Sequence, residues 1–170
     1  MTPLLRRFAL MAHVTSSVGW LGAVAVFLAL AVAGVLNRDG QLVRAAYLAM
    51  DLTYWFVIGP LCFASVLTGL ISSLGTGWGL FRHYWVLIKL LLTIPATLLL
   101  VVHTVPVSLL ADVAAKTNLS GGDLGRLRLE LLAYAGAALL VLLVAMVLSV
   151  FKPRGMTRYG QRKQRAVLAT

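Results

Sequence analysis

Residues 82–106 read RHYWVLIKLLLTIPATLLLVVHTVP. The run is apolar and long enough to cross a bilayer, which takes ~20 residues of α-helix. Two ionisable residues interrupt it, Lys89 and His103. Such groups are costly at membrane depth and normally face a protein interior, so they mark a candidate site. Fourteen residues separate them, about four helical turns, so they share one helix face. Trp85, Thr93, Ala96 and Leu100 fall near the same face. A helix with this face needs other helices to cover it.

The rest of the chain has the composition to supply them. Of 170 residues, 61% are apolar and 12% charged. A soluble domain is usually about 45–50% apolar and about 25% charged. Mean hydropathy is +0.94. The pattern predicts an all-α protein, a four-helix transmembrane bundle of up-down topology in one domain. The spans are placed at about 8–36, 52–74, 84–105 and 131–151, with a basic tail over 152–170. The N-terminal run continues to about Leu36, too long for a signal peptide, and reads as a retained helix. A polar stretch over about 107–130 reads as the longest loop, with Ser120-Gly121-Gly122 inside it.

The net charge of +10 does not point to nucleic acid. Six cations, Lys152, Arg154, Arg158, Arg162, Lys163 and Arg165, sit in the tail. A basic segment beside a span reads as an orientation signal and a contact for anionic lipid. With four spans, nine Lys/Arg fall on the side of the termini and five on the other. Both termini are therefore expected in the cytoplasm. The lone cysteine, Cys62, forms no internal disulfide and reads as an inert core residue. No nucleophile–base pair, phosphate loop or carboxylate dyad is visible, so no catalytic residue is named.

Depth sorts the polar residues into two layers. His13 and Lys89 each lie about five residues into their predicted spans, roughly 7–8 Å at ~1.5 Å per residue. His103 lies about 20 Å further along. That offset excludes His13 and His103 as two ligands of one haem, because axial ligands approach one iron at about 2 Å. The first layer holds His13, Lys89, Thr68 and Met146, with Trp20 deeper in helix 1. The second holds His103, Asp51 and Tyr54. His13, Ser16, Ser17 and Trp20 form one helical stripe, and Ile58, Cys62, Ser65, Gly69 and Ser72 another. Small and hydroxyl residues serve close contacts between membrane helices.

Each residue has two readings. His13 is a haem or metal ligand, or a buried hydrogen-bonded histidine. Lys89 neutralises an anionic group, or snorkels to the headgroups. His103 and Asp51 are a proton relay or metal-touching pair, or an interfacial hydrogen bond. Met146 is a soft ligand, or packing.

His13-x6-Trp20-Leu21-Gly22, Pro60, Leu67-Thr68-Gly69-Leu70, Trp85-x3-Lys89 and His103 together resemble a group of small bacterial membrane proteins. The pattern is similar to the copper-resistance D (CopD) membrane domain, to an uncharacterised four-helix family related to it, and remotely to HemJ-type protoporphyrinogen oxidases. The resemblance covers roughly residues 8–150. It implies a multi-pass protein of the bacterial inner membrane. By the HemJ likeness it implies haem b, with His13 and Lys89 in the haem-binding roles. The aromatic run with arginine and histidine that follows the tryptophan in HemJ-like chains is Leu21-Gly22-Ala23-Val24-Ala25-Val26-Phe27 here. The leading expectation is a haem-b-binding or redox-accessory protein. The alternatives are a structural or assembly subunit of a membrane complex, and copper or proton passage. Partners expected are the bilayer, anionic lipid, and a membrane protein or a second copy.

Overall fold

The computed structural model describes residues 2–75, 80–102, 104–116, 122–153 and 155–162. His103, the glycine-rich turn at 76–79, Ser120-Gly121, and the tail cations Arg154, Lys163 and Arg165 lie outside them. The described chain is all-α, with no strand. Its elements are α1 (Pro3–Leu36), α2 (Gly40–Thr53), a π-turn (Tyr54–Ile58), α3 (Gly59–Gly75), α4 (Tyr84–Val102), α5 (Thr104–Lys116) and α6 (Gly122–Phe151). Four helical stretches are long and apolar enough to cross a membrane: Pro3–Leu36, Gly40–Gly75, Tyr84–Val113 and Gly125–Phe151.

Local chemistry sets the helix ends. Thr2 caps α1 by accepting from the Leu5 N–H, and Pro3 opens the first turn, where a missing N–H costs nothing. Asp39 caps α2 by accepting from the Gln41 N–H. The helix expected to enter the membrane near Leu52 therefore begins at Gly40 and runs without a break to Gly75. It widens at the π-turn, where the Gly59 N–H donates to the Tyr54 carbonyl. Pro60 follows at once. Its ring cannot donate to the Phe56 carbonyl and crowds it, which favours a wider turn.

The predicted loop at 107–130 is largely helical. α5 continues to Lys116 and α6 starts at Gly122. The reason is burial. Val107, Leu110 and Ala111 are buried, and α5 packs against α2. Leu110 and its neighbours form an apolar face that a reading of overall polarity hides. Ser108 donates to Asp51 Oδ1 at 2.9 Å, joining α5 to α2. At the far end, Lys152 stops α6 with a φ of 41°, ahead of Pro153.

The core lies where α1 crosses α2, α3 and α6. Trp20, Phe27, Tyr47, Met50, Ile58 and Leu110 are buried there. By contrast, no residue of α4 is buried. It is tied in by polar contacts. The Tyr54 hydroxyl donates to the Leu100 carbonyl. Tyr54→Phe should therefore cost about 1 kcal/mol, read as a lower unfolding midpoint in mixed micelles. An unchanged midpoint would mean that this carbonyl is satisfied in another way.

The chain beyond α6 folds back on the start of α4. His83 and Met156 pair as an isolated bridge. The Thr157 N–H donates to the Arg82 carbonyl at 3.0 Å, and its hydroxyl to the Phe81 carbonyl at 2.5 Å.

Candidate functional site: a half-buried histidine–lysine pair

Four helices contribute one polar cluster. α1 carries His13, Ser16 and Ser17. α3 carries Ser65, Thr68 and Gly69. α4 carries Lys89, and α6 carries Ser149. The His13 ring bridges two of these helices. Its Nδ1 lies 3.0 Å from the Ser65 carbonyl oxygen, and its Nε2 lies 3.2 Å from Lys89 Nζ.

These contacts fix the tautomer. A carbonyl oxygen only accepts, so Nδ1 carries a proton. Thr68 Oγ1, at 3.4 Å, shares that N–H weakly. Its own hydroxyl donates to the Ala64 carbonyl at 2.5 Å. Nε2 is left to face Lys89. The amine also donates to Ser149 Oγ at 2.9 Å, and the Ser149 hydroxyl donates to the Ala145 carbonyl at 2.8 Å.

One position controls the fit. Gly69 lies under the imidazole, and a Cβ there would sit 3.0 Å from the ring carbon Cε1 and 3.3 Å from Nδ1. The glycine thus allows the close approach of a ring to a helix backbone. A second contact, Ser17 Oγ to Ser65 Oγ at 2.7 Å, locks α1 to α3 one turn above. Thr93 and Thr97 of α4 turn their hydroxyls back to the carbonyls of Lys89 and Thr93, both at 2.9 Å. Thr97 also meets the buried Cys62 thiol at 3.6 Å.

The residues predicted for the first layer fare differently. His13, Lys89 and Thr68 meet. The Lys89 amine ends on His13 and Ser149. Trp20 is buried, but in the wall of a neighbouring cavity that neither His13 nor Lys89 lines. Met146 is 45% exposed, and the α6 residue that reaches Lys89 is Ser149, three positions on. Ser149 is the only serine or threonine in the apolar run 131–151, a signal that could have found it. In the second layer Asp51 is bonded to Ser108, which also receives the Trp55 indole N–H at 3.4 Å. Tyr54 is turned to Leu100.

The arrangement suits proton exchange. Two basic nitrogens share one hydrogen bond, and either can hold its proton without moving a heavy atom. Lysine as ammonium donates to neutral imidazole. Imidazolium donates just as well to a neutral amine. Nδ1–H and Ser149 are satisfied in both states. Metal chemistry finds less support, since among the described residues no three His, Cys, Asp or Glu side chains converge. Comparison with family models, with curated proteins and with solved structures gives no match.

Proposed function

We propose that this is a multi-pass membrane protein with a redox-accessory role, in which His13 and Lys89 form a proton-exchanging site. The observation that carries the reading is the single 3.2 Å hydrogen bond between Nε2 and Nζ, held between helices by Ser65 and Ser149. Ionisable side chains inside spanning helices are costly, and proton relays are one of their main uses. The frame is an up-down four-helix bundle of the bacterial cytoplasmic membrane. Both termini lie inside, where the cations outnumber those of the other side. Lys152, Arg158 and Arg162 of the end segment, with Arg82 on the segment it folds back on, supply a contact for anionic lipid there.

The test is 15N NMR of histidine-labelled protein in lipid nanodiscs. Nδ1 should stay protonated from about pH 5 to pH 8, the range in which histidine normally switches. Nε2 should respond to acidification, and Lys89→Met should change that response. An Nε2 signal that ignores both pH and the substitution would leave the pair a purely structural lock. That outcome favours the assembly-subunit reading.

Haem b is the second reading, with His13 on the iron and Lys89 against a propionate. One observation favours it. An imidazole whose Nδ1–H is anchored on a backbone carbonyl is oriented as metal-bound histidines are. As arranged, the site does not admit the group. Nε2, the nitrogen that would bind iron, is taken by Lys89, so haem requires the lysine to swing away. A Soret band in protein from haem-replete cells, lost in His13→Ala, supports this reading. Its absence leaves the proton site alone.

A further inference from the structure

Between α4 and the rest of the fold lies a cavity of about 300 Å³. Trp20 and Phe27 of α1, Tyr54 of the π-turn, Pro95 of α4, and Tyr134 and Ala138 of α6 are in its wall. The volume is at the lower end of small-molecule sites. Its position follows from the sequence. Pro95 cannot donate to the Leu91 carbonyl, and the π-turn widens the facing helix, so two irregular walls oppose each other. α4, with no buried residue, does not close the gap. Leu91 and Tyr134 line the cavity and are also 70% and 37% exposed. The cavity therefore meets the surface between α4 and α6.

Two features describe the occupant. The wall is apolar and carries four aromatic rings, which favour a flat ring system over a flexible chain. Trp20 is only 3% exposed, and its indole N–H meets no acceptor among the described residues. A buried donor normally has a partner, and an orphan asks for one. An acyl chain would fill space here but bring no acceptor. A carbonyl compound would bring both. The geometry points to a binding site, entered from the bilayer between α4 and α6, for a compact apolar ring compound with a carbonyl acceptor, of the quinone class. Trp20 supplies the hydrogen bond, and Tyr54, Tyr134 and Pro95 frame the ring.

The test uses the full-length protein in nanodiscs with two probes of matched shape. These are 2-methyl-1,4-naphthoquinone and 2-methylnaphthalene, which lacks the carbonyls. The readouts are the Trp20 indole N–H resonance and the Ala135 and Ala138 methyl resonances. The quinone should move all three and saturate. The hydrocarbon should bind more weakly and leave the indole N–H in place. Trp20→Phe should weaken the quinone by about 3- to 10-fold, the value of one hydrogen bond. His13→Asn should leave binding unchanged, which separates this site from the proton pair. The proposal is overturned if the hydrocarbon binds as tightly as the quinone, if the indole N–H does not respond, or if the methyl shifts never saturate, as with simple partition into lipid. The probe comparison is made on the unmodified protein, so it stands even where a variant folds poorly.

Discussion

Gly69→Leu should separate His13 from Lys89. A Cβ alone at this position comes within 3.0 Å of the imidazole, so alanine forces the ring to yield by a few tenths of an ångström. Leucine adds three carbons in the same direction and removes the space altogether. The imidazole then loses the Ser65 carbonyl, the Thr68 hydroxyl and Lys89 together. Hydrogen bonds between membrane helices average about 0.6 kcal/mol each, so the loss sums to about 2 kcal/mol. Gly69→Ala should cost less than half of that. Reversible unfolding in bicelles reads the stability, and the Nε2 resonance reads the pair. A leucine variant with a native Nε2 signal would mean that the ring has another place to sit.

Gly34→Leu should be the most damaging single change in the core. A Cβ on Gly34 falls 2.7 Å from Cζ of Tyr47 and 2.8 Å from its hydroxyl oxygen. Tyr47 is 2% exposed and lies beneath the Arg128 guanidinium, 5.5 Å from the ring centre. It cannot retreat. Overpacking of this kind costs about 3 kcal/mol, because α1 and α2 must move apart. Tyr47→Leu, which empties the space, should be destabilising alone yet should partly rescue Gly34→Leu. The double variant should therefore lose less than the two single losses combined. Strict additivity would show that the two residues do not touch.

The spans were legible in the sequence because the bilayer imposes both length and polarity. The shared level of His13 and Lys89 was legible for a related reason. Rise per residue is constant, so two helices that run the same way bring equal depths together. The first helix begins at Pro3 rather than near residue 8, so His13 lies further into α1 than Lys89 lies into α4, and the two still meet. The opposite stripes, Ser17 with Ser65, were readable from helical spacing. What the sequence concealed was backbone. The Ser65 carbonyl that sets the tautomer carries no letter of its own. Neither do the Phe81 and Arg82 carbonyls, which accept from the Thr157 hydroxyl 76 and 75 residues along the chain. α5 was hidden for another reason. Its polar residues lower the average, while Val107, Leu110 and Ala111 still form a face that α2 covers.

The widened turn at Tyr54–Ile58 also sets directions. Asp51 and Ser65 are fourteen positions apart, and in an unbroken α-helix they would point the same way. One surplus residue rotates everything after it by about 100°. Asp51 can then answer Ser108 while Ser65 answers His13 on another side. Removing any one residue between 54 and 58 would straighten the rod and set these two attachments in competition for a single bearing. The bulge lets one continuous rod serve two neighbours at once.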